Sequence, residues 1–297
     1  MPNVQGNKDL NKACIIGLGL LGGSLGLAIS RVMPDVKVVG YSHRQTTCER
    51  AVAAGVVDES FDSVASAVVD CDLVILASPI STFETLMSEM AGSLATGCIV
   101  TDVGSTKVLP VRWARNRLPK HVHFLGSHPM AGSEQRGVDF ARADLFDDAN
   151  CIVTPTASTD PIITATLTHF WQVLGMKVSQ MAPAEHDRVL ARISHLPHAL
   201  ATALVNSSEM QEIVLCGKGF LDTTRIASGP PGVWRDILMS NAANTSKAIG
   251  KLIKELQRAQ KMLDDNDGEK MTAWLADAQA KRNELVERKL KRKELPA

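Results

Sequence analysis

The sequence lacks the features that mark membrane, secreted and nucleic-acid-binding proteins. Its 32 basic residues equal its 32 acidic residues, so no overall positive charge attracts nucleic acid or a membrane surface. No apolar run is long enough to cross a membrane, and the polar segment Met1–Lys12 contains no apolar core of a signal peptide. We therefore expect neither a membrane nor a nucleic acid as a partner.

Closely spaced cysteines are absent as well. The six cysteines are scattered, with no C-x-x-C spacing, and several lie in apolar, strand-like runs. Buried free thiols in a reducing compartment explain this best, so we expect a cytoplasmic protein. The 297 residues, 45% hydrophobic and 22% charged, suffice for one large globular domain or two of ordinary size.

A strand, a glycine-rich turn and a helix are predicted near the start of the chain. Ala13–Ile16 is an apolar strand, and glycines then follow in the spacing G-x-G-x-x-G before an apolar helix. This context is typical of a dinucleotide-binding turn, in which the exposed N–H groups of the helix start favour an anion. The pyrophosphate contacts predicted here are Gly17, Gly19, Leu20, Leu21 and Gly22.

The end of the second predicted strand, Val36–Tyr41, bears on the choice of cofactor. An acidic residue at this tip would bind the ribose 2′-OH of NAD, but the sequence has Ser42, His43 and Arg44. Serine and arginine suit the 2′-phosphate of NADP. We predict NADP as the preferred cofactor and NAD as the alternative; Arg44 could instead be a solvated residue that opens the next helix.

Strands and helices alternate through the first half of the chain. Such alternation predicts a parallel sheet covered on both faces, and ligands bind such sheets outside the carboxyl ends of the strands. The segments expected to share that rim are Gly17–Gly22, Ser42–Arg44, Ser78-Pro79, Gly104–Lys107 and Ser127–Glu134. Ser78 and Pro79 are therefore further candidates for cofactor binding.

His128 is the candidate catalytic base. It follows the short predicted strand Phe124–Gly126 in a loop rich in proline and glycine, and a histidine at such a rim can act as a general base. Ser105 could bind the same substrate oxygen or orient the imidazole. Alternatively, His128 only packs the loop. His121 and His123 have no carboxylate or cysteine nearby in sequence, so we interpret them as structural and predict no metal.

Beyond Ala182-Pro183 the pattern is almost wholly helical. The predicted helices are Glu185–Ile193, Pro197–Cys216, Trp234–Lys261 and Lys270–Arg292. The run Ala199–Val205 is apolar nearly all round, which predicts burial in a bundle or an oligomer interface. The fold class predicted is α/β: a Rossmann-like, doubly wound, mostly parallel sheet in residues 1–182, followed by an all-helical dimerisation domain in residues 183–297.

Two groups in the helical half are candidates for substrate binding. Arg225 lies in a loop-rich segment, and arginine binds carboxylates through two N–H groups. His195 and His198 surround a helix start at Pro197. They would suit zinc only with a third ligand, which is not evident, so we interpret them as structural from position alone.

Taken together, these motifs resemble those of the prephenate and arogenate dehydrogenases, the TyrA family of tyrosine biosynthesis. The similar segments are GLGLLGGSLG at Gly17, DVGSTK at Asp102, SHPMAGSEQRG at Ser127, SHLPHA at Ser194, GFLDTTRIA at Gly219 and VWRDIL at Val233. They occur in family order from near the start to about residue 240, and their combination is more specific than any one motif. The serine and arginine at the second strand tip depart from members that carry Asp there.

The resemblance implies an oxidative decarboxylation of prephenate to 4-hydroxyphenylpyruvate, with hydride transfer to NAD(P)⁺. By matching motif, His128 accepts the proton of the C4 hydroxyl and Ser105 assists it. Arg225 binds a substrate carboxylate, and His198 is a further polar contact. Glu134 and Trp234 match positions near the pocket mouth.

Other implications concern the rest of the chain. His186 and Asp187 match a family position near the domain junction whose role the motif leaves open. The remaining helices imply a homodimer. We expect no fused chorismate mutase domain ahead of Cys14 and no regulatory domain after the last helix.

Three alternatives stay open. The substrate could be arogenate, which has an amino group where prephenate has a keto group. The chain could be a different NAD(P)-dependent reductase, although no clear lysine base in the second domain supports that. It could also be a dinucleotide sensor without activity, which would need neither His128 nor Arg225.

Overall fold

The computed structural model of the protein describes residues 10–132 and 135–291. The chain forms two compact units that adjoin in sequence between Thr245 and Ser246. Each unit is described separately below.

The first unit contains a parallel sheet of six strands in the order β3-β2-β1-β4-β5-β6. The strands are β1 (Lys12–Ile16), β2 (Lys37–Tyr41), β3 (Glu59–Phe61), β4 (Leu73–Leu76), β5 (Ile99–Asp102) and β6 (His123–Phe124). The helices between them are α1 (Leu20–Val32), α2 (Gln45–Ala53), α3 (Val64–Ala67), α4 (Phe83–Met90) and α5 (Val108–Arg117). This strand order is that of a Rossmann fold, which confirms the predicted fold class.

The sheet is buried on both faces. In β1, Ala13 and Ile15 pack in one hydrophobic core, whereas Cys14 and Ile16 pack in the core on the opposite face. A strand covered on both faces is apolar throughout, which is why the sequence shows β1, β4 and β5 so clearly. The polar edge strand β3 gives no such signal, and the sequence did not predict it.

A second sheet of three strands follows in the order β7-β8-β9. Its strands are β7 (Gly126–Pro129), β8 (Asn150–Thr154) and β9 (Lys177–Gln180), and α6 (Pro161–Val173) precedes β9. β7 pairs with β8 antiparallel, whereas β8 and β9 are parallel.

The second sheet corrects the predicted environment of His128. The single predicted strand Phe124–Gly126 is divided at Leu125, where the chain passes from β6 into β7. His128 therefore lies within a strand, opposite Ile152 of β8, and not in a loop. The proline and glycines around it concealed a strand of only four residues.

Helices make up the rest of the described chain. They are α7 (Pro183–Leu190), α8 (Leu196–Asn206), α9 (Met210–Ile213), α10 (Lys218–Thr224), α11 (Pro231–Ser240), α12 (Ala242–Asp264) and α13 (Gly268–Lys291). A π-helical turn, Ala191–His195, joins α7 to α8, and a 3₁₀ turn, Arg225–Ser228, follows α10. Among the described residues, no helix combines the length and apolarity needed to span a membrane.

Two helices predicted as continuous are interrupted. Within Pro197–Cys216, the hydroxyls of Ser207 and Ser208 donate to the carbonyl of Leu204, and a capping box at Glu209 starts α9. Serine hydroxyls compete with helical hydrogen bonds in this way.

Asn241 interrupts the other helix, predicted over Trp234–Lys261. Its backbone leaves helical geometry at φ −123° and ψ 32°, between α11 and α12. Its side chain donates to the carbonyl of Asp187, 54 residues earlier. A long-range contact of this kind leaves no periodic signal in the sequence.

The first unit extends well into the predicted helical domain. α7 packs against α5, and α11 packs against the 3₁₀ turn Ile80–Thr82. The predicted boundary between residues 182 and 183 stays a prediction. Within the apolar run Ala199–Val205 of α8, the described residues bury Ala201 but leave Leu200 and Ala203 exposed.

Candidate active site

The glycine turn between β1 and α1 fits a dinucleotide. Gly17 has a φ of 108°, which favours glycine, and a Cβ at Gly22 would lie 1.9 Å from the carbonyl oxygen of Gly17. The helix begins at Leu20 after Gly19, with no side-chain cap and no acidic residue in its first turn. Its first N–H groups, including that of Leu21, therefore suit an anion such as a pyrophosphate.

A cavity of about 270 Å³ opens beside this turn, at the carboxyl ends of β1, β2 and β4. It is lined by Ile16, Gly17, Tyr41, Ser42, His43, Ser78, Pro79, Thr82 and Leu86. Five of these residues are among the predicted cofactor contacts. Arg44 directly precedes α2, and its side chain is exposed. The cavity and the turn together suit the adenosine end and pyrophosphate of a dinucleotide.

A separate cavity of about 560 Å³ lies at the opposite ends of the strands. Leu73 and Ile99, the first residues of β4 and β5, line it together with Phe170 of α6. It contains none of the predicted site residues. Because ligands bind such sheets at their carboxyl ends, the smaller cavity is the better candidate for the cofactor site.

His128 on β7 is buried and hydrogen-bonded to a second histidine. Its Nδ1 lies 2.9 Å from Nε2 of His186 on α7. The Nδ1 of His186 in turn lies 2.8 Å from Oδ1 of Asp187. The carboxylate of Asp187 accepts from the backbone N–H groups of Lys107 and Val108, at 2.7 and 2.9 Å.

Burial keeps His128 uncharged. Burial, and then repulsion from His186, Lys107 and His195 in their protonated forms, hold the pKa of His128 well below its usual 6.5. An imidazole that is neutral at pH 7 can accept a proton, which is the chemistry predicted for this residue.

Lys107 and Asp102 form a buried ion pair next to the histidines. Both side chains are fully buried, and the ammonium of Lys107 also donates to the carbonyl of Ser127, at 2.6 Å. Burial lowers the pKa of Lys107 and raises that of Asp102. The pair links the end of β5 to the strand that carries His128.

Asn241, which lies between α11 and α12, is hydrogen-bonded to the buried cluster. Its Nδ2 donates to the carbonyl of Asp187 at 2.6 Å and lies 3.2 Å from Nδ1 of His195. His195 is fully buried, and burial lowers its pKa to about 4. The interruption between α11 and α12 thus places a hydrogen-bond donor inside the site.

His198, Trp234 and Arg225 form the other part of the candidate site. The rings of His198 and Trp234 stack with centroids 3.6 Å apart and planes 9° apart. α8, which carries His198, packs against the 3₁₀ turn that begins at Arg225. The side chain of Arg225 is exposed.

For two of the predicted site residues, Ser105 and Glu134, the structure adds no evidence of the predicted role. Ser105 is half-buried between β5 and α5, and no hydrogen bond among the described residues joins it to His128. The imidazole of His128 is hydrogen-bonded to His186 instead. Glu134 lies outside the described residues. Within those same residues, no three potential metal ligands converge.

Comparison with known families identifies the chain. Residues 25–180 match the nucleotide-binding domain model of prephenate dehydrogenase, and residues 182–277 match the dimerization domain model. The chain belongs to the prephenate dehydrogenase family.

Relatives agree in sequence and in fold. Prephenate dehydrogenase of Bacillus subtilis is 34% identical over 94% of this chain and 77% of its own length. An A. aeolicus prephenate dehydrogenase, solved with hydroxyphenyl propionate and NAD⁺, is 33% identical with a TM-score of 0.87, covering 94% of this chain and 99% of that one. Arogenate dehydrogenase of Synechocystis is 29% identical with a TM-score of 0.80, covering 92% of this chain and 99% of that one.

Family membership confirms the resemblance and the enzyme class. The protein is an oxidoreductase of the prephenate dehydrogenase family that uses a nicotinamide dinucleotide. The sequence did not indicate that Lys107, His195 and Asn241 belong to the buried cluster around His128. The family motif indicated His186 and Asp187 but no role for them. A histidine next to an aspartate at a predicted helix start was the one available signal.

Proposed function

We propose that the protein converts prephenate to 4-hydroxyphenylpyruvate and CO₂. The observation that carries the proposal is the buried, neutral imidazole of His128, held through Nδ1 on β7, a strand that packs against β5 of the sheet with the glycine turn. The relatives named prephenate dehydrogenase support the substrate.

The residues of this chain account for the proton and the orientation of the substrate. The bound nicotinamide supplies a hydride acceptor. Nε2 of His128 accepts the C4 hydroxyl proton while C4 loses hydride. The ring carboxylate then leaves as CO₂, and the same proton returns to the oxygen of the new phenol. Ser105 binds that oxygen, Arg225 binds a substrate carboxylate, and His198 contacts the substrate beside Trp234.

We propose NADP as the preferred cofactor and NAD as the alternative. No acidic residue directly follows β2, and Ser42 and Arg44, which do follow it, suit a 2′-phosphate. Arg44 is exposed at the start of α2, where a bound anion would offset its unfavourable position at a helix N-terminus.

We also propose a cytoplasmic homodimer formed through the helical half. Met210, Val214 and Leu215, at and after α9, are each more than 70% exposed. Apolar side chains this exposed indicate an interface. All six cysteines are free thiols, which suits a reducing compartment. Light scattering after size exclusion should give twice the chain mass, and a monomer at micromolar concentration would contradict the dimer.

Steady-state rates on prephenate and arogenate, each with NAD⁺ and NADP⁺, test the function. We expect the highest kcat/KM with prephenate and NADP⁺. Higher kcat/KM with arogenate would support the alternative suggested by the Synechocystis relative. Dinucleotide binding without turnover of either compound would favour a sensor, and turnover of hydroxy acids or imines instead would favour a different reductase.

The variant His128→Asn is the control. It should lose at least about 10²-fold in kcat while still binding the dinucleotide, because it removes only the proton acceptor. Undiminished turnover by this variant would refute the assignment of the base.

A further inference from the structure

We propose that Asp187 and His186 fix the tautomer of His128, so that its Nε2 always faces the substrate as a hydrogen-bond acceptor. His128 donates to His186 and His186 donates to Asp187, whose carboxylate also accepts the backbone N–H groups at the start of α5. His128 is the catalytic residue, whereas His186 and Asp187 are positioning residues. The inference rests on the proposed function only in taking Nε2 as the group that meets the substrate.

Asp187 determines which group donates in each of these hydrogen bonds. Both of its carboxylate oxygens accept backbone N–H groups, from Lys107 to Oδ1 and from Val108 to Oδ2. Val108 is the first residue of α5, so the carboxylate lies at a helix N-terminus, where negative charge is favourable. Asn241 holds the backbone of Asp187 from the other side. An aspartate fixed by two donors can act only as an acceptor toward its next neighbour.

The next step determines the tautomer of His186. Its Nδ1, 2.8 Å from Oδ1 of Asp187, must carry the proton because the carboxylate has none to give. Burial lowers the pKa of His186, so the imidazole is neutral and its Nε2 carries a lone pair. His186 therefore presents an acceptor to His128.

His128 is then left with one possible arrangement. Its Nδ1, 2.9 Å from Nε2 of His186, must donate, since the lone pair of His186 cannot. The rings meet edge-on, with planes 61° apart, which suits an in-plane N–H donor. A neutral imidazole protonated on Nδ1 has its lone pair on Nε2. His128 thus accepts a proton without first having to change tautomer.

The charged and titratable groups around these hydrogen bonds bear on whether His128 and His186 are neutral. Lys107, at the start of α5, lowers the pKa of both His128 and His186 through its positive charge. His195, in the π turn, acts on His128 in the same sense, whereas Asp102 on β5 and Asp187 oppose Lys107 at His186. A doubly protonated His186 would reverse the direction, and this environment disfavours it.

The decisive measurement is the ¹⁵N spectrum of histidine-labelled protein without substrate. The chain has eight histidines, and His128→Asn identifies the pair of signals that belongs to His128. We expect His128 in the wild-type protein to be protonated on Nδ1 and unprotonated on Nε2 at pH 7. A wild-type spectrum that shows Nε2–H, or a fast mixture of tautomers, would overturn the proposal without any variant having to fold.

Two substitutions at His186 test whether this residue determines the tautomer of His128. His186→Leu removes the acceptor, and we expect mixed tautomers of His128. His186→Gln keeps an amide oxygen that can accept from Nδ1–H, and we expect it to retain the wild-type tautomer. His169→Gln, a change at an exposed histidine of α6, is the matched control and should leave the spectrum of His128 unchanged. A wild-type tautomer in the leucine variant would refute the role of His186.

Kinetics separates positioning from a general loss of structure. His186→Leu should lower kcat about 10- to 100-fold, as loss of an orienting partner commonly does, with KM and dinucleotide affinity nearly unchanged. His186→Gln should recover most of kcat. Equal losses in both variants would contradict the proposal. Because the spectrum needs no turnover, a failure on prephenate with the expected tautomer would refute the proposed function alone.

Discussion

His128, His186 and His195 lie together in the first compact unit, and all three are buried. A histidine in water is half charged near pH 6.5, but here burial lowers the pKa of each one. The buried Lys107 is the cation that adds to this effect at His128 and His186. A neutral imidazole in such surroundings has a lone pair that can accept a proton.

The pH dependence of kcat/KM should show an acid limb below pH 6.5. Activity requires the neutral form of His128, so it is lost as pH falls through the pKa of that residue in the free enzyme. Because that pKa is lowered, the rate should stay level through pH 6.5 and fall only below it. Steady-state rates from pH 5 to 8 would check this, and a midpoint at or above 6.5 would contradict it.

Arg44→Ser should weaken the use of NADP⁺ selectively. If the guanidinium binds the 2′-phosphate, its loss removes a charged hydrogen bond worth about 1.5 kcal/mol, which raises KM for NADP⁺ about tenfold. KM for NAD⁺ should change little, and it serves as the internal control. Equal effects on the two cofactors would mean that Arg44 contacts no 2′-phosphate.

In the glycine turn between β1 and α1, packing requires one of the glycines but not another. A Cβ at Gly22 would lie 1.9 Å from the backbone of Gly17, whereas nothing lies within 4 Å of the position of a Cβ at Gly19. Gly22 is thus required by the contact between α1 and β1. No such contact requires a glycine at position 19 among the described residues, so we expect the reason for this glycine to be the predicted dinucleotide.

Gly22→Ala and Gly19→Ala should therefore have different effects. Gly22→Ala forces the backbone apart and should lower the free energy of unfolding by about 3 kcal/mol, measured by chemical denaturation. Gly19→Ala should leave stability unchanged but weaken dinucleotide binding, because the pyrophosphate approaches the backbone there. Unchanged dinucleotide affinity in Gly19→Ala would place the pyrophosphate elsewhere.

The whole molecule should lose stability between pH 6.5 and about 4. The buried histidines have lowered pKa values when folded, so the unfolded chain binds protons first as the pH falls. Stability is then fully present above the unfolded pKa and declines below it. From His195 alone, with a folded pKa of about 4, the loss reaches about 3 kcal/mol.

Chemical denaturation at pH 7 and pH 5 would measure this loss. The variant His195→Gln removes one of the groups responsible and should show a smaller difference between the two pH values. A wild-type stability that is equal at pH 7 and pH 5 would show that the buried histidines do not carry the pH dependence.

Local patterns were sufficient to predict much of this protein. Gly17, Gly19 and Gly22 predicted the dinucleotide turn, because a tight turn and a close helix contact require glycine wherever they occur. Apolar runs predicted β1, β4 and β5, since strands buried on both faces contain few polar residues. The six motifs together predicted the family, which the comparisons confirm.

Tertiary structure alone decided how the candidate site is assembled. His186 meets His128 from 58 residues away, and Asn241 reaches Asp187 from 54 residues away while ending α11. Such contacts depend on where the folded elements pack, and side chains that far apart in sequence leave no periodic pattern. The sequence by itself therefore determined the fold and the candidate base, whereas packing determined which groups hold that base neutral and in one orientation.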